Sequence, residues 1–183
     1  LHTCTRKATG QQCTAFVFDK RQMERYSKAE RELIYDVLRK GPATLTKLRH
    51  PRLLEIHHPL IETPHSMVFI AEAVFASLGN VLGRYENLPS LPLAIKEFQL
   101  ETLSKQIGLQ QVVEAIEFCH TGAKLVHANL TPEDIYLDAD GNWKTGGFQF
   151  SFYTAYAGQQ AHATFTVCPS VEDCWKILRK SWV

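Results

Sequence analysis

His127-Ala128-Asn129-Leu130-Thr131-Pro132-Glu133-Asp134 is the stretch on which the fold turns. Its polar residues lie between two strongly patterned neighbours. Upstream, Glu101 to His120 reads as one long helix, with Leu109, Val112, Val113 and Ile116 at i, i+3, i+4 and i+7. That spacing places four apolar side chains on one stripe. A short β-like piece, Lys124 to Val126, leads into the stretch. Downstream, Ile135–Leu137 and Trp143–Thr145 flank Asp138-Ala139-Asp140-Gly141-Asn142, a hairpin-turn signal. Phe148, Phe150 and Phe152 then alternate at period two, as in a half-buried strand.

Further out, Thr14-Ala15-Phe16-Val17-Phe18 is a β-rich run bounded by polar residues. Leu33, Ile34, Val37 and Leu38 repeat at helical spacing until Gly41-Pro42. Proline lacks a backbone donor and restricts the residue before it, so the helix is expected to end or kink there. Leu45 and Leu48 resume a similar face. Short strands are expected near Leu53 to Ile56 and Met67 to Ile70, and a loop over Glu86 to Pro92. His57 and His58 are neighbours on a strand, facing opposite sides, which argues for packing rather than metal binding. The tail from Tyr153 onward is weakly patterned. The element order is α+β and fits two lobes.

Composition narrows the class. Hydrophobic residues make up 45% and charged residues 21% of 183, with a formal net charge of +1. Nothing in that balance points to nucleic acid. The five cysteines, Cys4, Cys13, Cys119, Cys168 and Cys174, form no C-x-x-C pair, which reads as free thiols in a reducing compartment. No apolar run reaches the roughly 18–20 residues of a membrane span, and the N-terminus has no signal-peptide pattern. The chain starts without methionine, which reads as a fragment.

The stretch from His127 to Asp134 resembles the catalytic loop of protein kinases, H-R-D-L-x-x-x-N. Four other segments match in order. Val17-Phe18-Asp19-Lys20 resembles the strand carrying the phosphate-binding lysine, and Leu48 to Leu54 the link from the small-lobe helix to its next strand. Val68-Phe69-Ile70-Ala71-Glu72 resembles the strand entering the hinge, and Gly147-Phe148-Gln149 the D-F-G segment. The resemblance implies an incomplete two-lobed kinase-like fold, with a partial N-lobe over 1–73 and a hinge and partial C-lobe over 74–183. The Gly-rich loop is absent, and the C-lobe stops around the activation segment. Asp173-Cys174-Trp175 only faintly resembles the D-x-W of a later kinase helix, and its spacing is too short.

More narrowly, Phe16 to Lys20, Leu48 to Leu54, Val74 to Gly83 and Glu86 to Ser90 resemble the Scy-like pseudokinases. By that resemblance Asn129 stands at the catalytic aspartate, Gly147 at the magnesium-binding aspartate and Gly41 at the helix glutamate that orients the lysine. An amide cannot accept the substrate proton, glycine offers no metal ligand, and Lys20 is left without its usual partner. Ala128 and Thr131 replace an arginine and a lysine of the loop. His127 is expected to brace the loop. Lys20 and the hinge residues Ala71, Glu72 and Ala73 remain as weak nucleotide contacts, and Asp134 as a weak magnesium ligand. The resemblance therefore implies a catalytically inactive scaffold needing no cofactor, with weak ATP and magnesium binding left open. It also implies clathrin or adaptor partners, and a cytoplasmic place on Golgi, endosomes or coated vesicles with peripheral membrane association. A weak atypical serine/threonine kinase using Lys20 and Asp134 is the alternative.

Overall fold

The computed structural model describes residues 1–154; the tail beyond, including Asp173-Cys174-Trp175, lies outside the described residues. Four strands form the first sheet: β1 (His2–Thr5), β2 (Gln12–Asp19), β3 (Ile56–Glu62) and β4 (Ser66–Glu72), in the order β1-β2-β4-β3 and antiparallel throughout. The even-numbered residues of the β2 run, Thr14, Phe16 and Phe18, are buried, as period two requires. The strand expected over Leu53 to Ile56 begins instead at Ile56, and Leu53 makes only an isolated bridge to Thr145. The register of β3 against β4 shifts on both sides of His58. Pro59, which has no N–H to give a ladder, lies within the shifted stretch.

Helix α1 spans Lys28–Leu45 and opens on a capping box, with Ser27 accepting from the Glu30 N–H and Glu30 accepting from the Ser27 N–H. The expected stop at Gly41-Pro42 does not occur: the helix runs through Pro42 to a cap at Thr46. Only the last turn lies beyond the proline. Thr46 returns both its N–H and its hydroxyl to the Pro42 carbonyl, at 2.9 and 2.7 Å, and Leu45 and Leu48 are buried. Packing of that turn offsets the lost backbone bond.

Past the first sheet come β5 (Ala76–Ser77) and two short helices, α2 (Leu78–Val81) and α3 (Leu93–Glu97). Helix α4 (Thr102–Glu117) follows and ends in a wider turn over Phe118–Gly122. Its buried face is Gly108, Gln111, Val112 and Ala115, continuing to Cys119. The apolar stripe read from the sequence is therefore split. Val112 is buried, whereas Leu109 and Val113 are 60% and 64% exposed. The reason is the neighbour: the Trp143 indole sits where a side chain at position 108 would be, and this contact fixes the helix rotation.

A hairpin of β7 (Ile135–Leu137) and β8 (Trp143–Thr145) joins β5 in a three-stranded sheet; β6 (Leu125–Val126) pairs with β9 (Phe152–Tyr153). Gln111 ties helix to hairpin by accepting from the Trp143 N–H at 2.7 Å. The continuous strand expected through Phe148, Phe150 and Phe152 is instead a 3-10 turn over Phe148–Phe150 followed by β9. Gly147, at φ 75°, swings the chain out of extended geometry just before it. The largest core cluster joins residues of both sheets and α4, among them Phe16, Phe69, Leu54, Ala115, Tyr136 and Phe148.

Candidate functional site

The loop from His127 to Asp134 is held by its own polar groups. His127, 3% exposed, donates from Nε2 to the Gly146 carbonyl at 2.6 Å and accepts the Asn129 N–H at Nδ1, 3.3 Å away. One nitrogen donates and the other accepts, which is the pattern of a neutral ring, and burial lowers the imidazole's pKa in the same sense. The ring edge packs on Phe148 at 4.4 Å between centroids. His127 braces the loop, as expected. Ala128 adopts φ 61°, so the backbone turns sharply between the histidine and Asn129.

Asp134 is the electrostatic centre. Its Oδ2 accepts from Asn129 Nδ2 and from the Thr131 hydroxyl, both at 2.8 Å. Burial raises its pKa to about 7, against the opposing pull of the Thr131 bond. Desolvation dominates because no cationic side chain lies among these partners. The backbone carbonyl of Asp134 accepts the Gly146 N–H at 2.7 Å.

The structure brings Asn129, Asp134 and Gly147 together. Gly147 leaves a space that the Asp134 side chain fills: a Cβ built at position 147 would overlap the carboxyl carbon, Oδ1 and Cβ of Asp134. An aspartate could not stand at position 147 without expelling Asp134. The oxygens suit a hard cation in kind, but Oδ2 is already engaged twice. No group of three or more His, Cys, Asp or Glu able to hold a metal ion occurs among the described residues. Asn129 Oδ1 is buried without a hydrogen-bond partner among them.

Gly41 faces the same region from α1. A Cβ there would lie 3.2 Å from Gln149 Cγ, so Gln149 packs against the position where an acidic side chain was looked for. The pocket between Gly41, Gln149, Tyr136 and Phe69 has a volume of about 10 Å³, the scale of a single water.

Lys20 does not join this group. It begins the turn after β2 and donates to Glu62 Oε1 on β3 at 2.5 Å, with its ammonium 4.9 Å from the Tyr35 ring centroid. Arg39 of α1 also grips Glu62 through Nε and Nη2 at 2.8 Å, and these bonds hold the Glu62 carboxyl down at about 2. Glu62 from the sheet, rather than a residue of α1, pairs with Lys20.

The β2 residue that packs on the β7–β8 hairpin is Phe16. It is fully buried, stacks on Phe69 at 4.6 Å and meets Tyr136 edge-on at 5.3 Å. Thr14, two residues earlier on the same face, accepts the Val74 N–H at Oγ1, 2.8 Å away, beside Ala71, Glu72 and Ala73. Ala71 is fully buried, and Glu72 is bound to Lys144 at 2.9 Å and to the Glu55 N–H at 2.9 Å. Sequence reasoning missed Phe16 and Thr14. The β-rich run marked the strand, but not which of its residues meets Tyr136.

A four-stranded antiparallel sheet with one long helix, a hinge, and a second part built on an H-x-N loop and hairpin define a protein-kinase-like chain. The comparisons with known proteins agree. The chain is 46% identical over 158 residues to SCY1-like protein 2 of Homo sapiens, covering 85% of this chain and 17% of that protein. It is 30% identical over 163 residues to the protein kinase domain-containing protein ppk32 of Schizosaccharomyces pombe, 82% of this chain and 22% of that protein. It is 27% identical over 144 residues to CBL-interacting protein kinase 30 of Oryza sativa subsp. japonica, 79% of this chain and 26% of that protein. No protein-family profile matches. The chain belongs to the protein kinase-like family and, within it, is a homologue of the SCY1-like proteins. It spans about a fifth of the length of these SCY1-like relatives. No helix among the described residues is long and apolar enough to cross a membrane.

Proposed function

We propose that this chain is a non-catalytic kinase-like module that acts by binding protein partners. The observation that carries the proposal is the Asp134 side chain lying in the space that Gly147 leaves open, with its Oδ2 already bound by Asn129 and Thr131. Phosphoryl transfer needs bridging metal ions and a group that receives the substrate proton. Here the carboxylate that would hold a metal is bonded to its own loop, and an amide stands where the proton acceptor would be. Phe16 and Thr14 support the same reading. Aromatic packing and a hydroxyl-to-hinge bond occupy the face of β2 that a nucleotide would have to approach.

Lys20 and Asp134 remain the groups through which weak ATP or magnesium binding would operate, and each would first have to leave its present partners. A role in clathrin-coated-vesicle and Golgi or endosome traffic, in the cytoplasm with peripheral membrane contact, is the cellular setting that the SCY1-like relationship suggests. Clathrin or its adaptors are the corresponding partners.

The test is direct. Purified protein is incubated with labelled ATP and magnesium, alone and with a general acceptor protein, and its melting temperature is recorded with and without nucleotide. Neither label transfer nor a melting shift is expected. Autophosphorylation that disappears in Lys20→Ala would overturn the proposal.

A further inference from the structure

Cys4 and Cys13 are direct cross-strand partners in the β1–β2 hairpin, so their side chains emerge on the same face of the sheet. Cys13 is 3% exposed, whereas Cys4 is half-buried and open to reagents. Burial and the facing Cys13 thiol push the Cys4 thiol up. A third group completes the arrangement. The imidazole Nδ1 of His57, on β3, lies 3.4 Å from Cys13 Sγ, against 3.7 Å from that sulfur to the Gln11 carbonyl. Three strands thus bring two thiols and an imidazole together.

We propose that Cys4 and Cys13 form a reversible dithiol–disulfide site that exchanges with small disulfides such as oxidised glutathione, with His57 as the proton acceptor for Cys13. The Cys4 thiolate attacks one glutathione sulfur, forming a mixed disulfide and releasing one glutathione. Cys13 passes its proton to His57 Nδ1, and the thiolate attacks Cys4 Sγ and expels the second glutathione. Two cysteine thiols are oxidised, one glutathione disulfide is reduced to two thiols, and both protons end on glutathione. Directly opposed residues have Cβ atoms about 4.5–5.5 Å apart, while a disulfide needs roughly 3.5–4.5 Å. The strands must close by about 1 Å. β1 pairs only with β2 among the described residues and is mostly exposed, so it can move. A bond closed in this way is strained and readily reduced, as a regulatory disulfide is and a structural one is not.

The experiment uses the 183-residue chain with Cys168→Ser and Cys174→Ser, treated with oxidised glutathione, quenched by alkylation and mapped by tryptic mass spectrometry. A link between the peptides holding Cys4 and Cys13, reversed by reduced glutathione, is expected. Cys4→Ser should abolish it. In His57→Gln the closing step should be about a hundredfold slower, so that the Cys4–glutathione adduct accumulates while the rate of Cys4 alkylation stays at the parent value. A glutathione adduct that persists on Cys4 in the parent chain overturns the proposal. So does full alkylation of both cysteines after oxidation, or a link from either to Cys119.

Discussion

Replacing Gly147 with alanine tests whether the Asp134 side chain fills the space beside this glycine. Two costs arise. Gly147 has φ 75°, and a residue with a Cβ in that left-handed region costs about 1–2 kcal/mol. The new methyl group would also overlap the Asp134 side chain, which is buried and bonded to Asn129 Nδ2 and Thr131 Oγ1 at 2.8 Å. Displacing it breaks hydrogen bonds of buried groups, at about 1–3 kcal/mol each. The sum is a loss of roughly 3–8 kcal/mol, a large fraction of the ~5–15 kcal/mol typical of a folded domain. Gly10 supplies the control, with φ 69° and nothing within 4 Å of a built Cβ. Gly10→Ala should therefore carry only the backbone cost, about 1–2 kcal/mol. Urea unfolding followed by tryptophan fluorescence measures both variants. Equal destabilisation by the two substitutions would refute this filling, as would a Gly147→Asp chain that keeps the parent stability and gains magnesium-dependent nucleotide binding.

Burial raises the Asp134 pKa to about 7, above the ordinary aspartate value near 3.9. The folded state then holds a proton that the unfolded chain has lost between those two values. This contribution to stability is fully present below about pH 4 and is lost as pH rises toward 7. Asp134→Asn should remove that dependence, so the stability difference between parent and variant should change between pH 5 and pH 8 and be flat above; a constant difference would contradict the assignment. Phe16→Ala removes a fully buried ring between Phe69 and Tyr136 and should cost about 3–5 kcal/mol in the same unfolding assay. Glu62→Gln should weaken the Arg39 and Lys20 pairs by at most about 1 kcal/mol, because partly exposed ion pairs are screened; the loss should shrink further in high salt.

The segments that order the chain were legible in its sequence because their signals are local. The β-rich run Thr14 to Phe18 marks β2, Asp138 to Asn142 marks the β7–β8 hairpin, and the His127 stretch marks the family. Those signals depend on backbone periodicity, turn chemistry and residue identity alone. Other features depend on partners distant along the chain. Gly41-Pro42 has local breaker chemistry, yet burial of Leu45 and Leu48 carries α1 one turn further. Leu109 and Val113 share a stripe with Val112, but Trp143 against Gly108 decides which side of α4 is buried. Lys20 follows β2 directly, and only tertiary packing places Phe16 beside Tyr136 and leaves Lys20 with Glu62. Residue identity alone put Asn129, Gly147 and Gly41 where the kinase pattern has an acidic side chain. Tertiary structure decided what took its place: Asp134 in the space at Gly147, Gln149 against Gly41, and Phe16 with Thr14 along the hinge. Close packing lets one side chain fill another's absence only when the fold brings the two together.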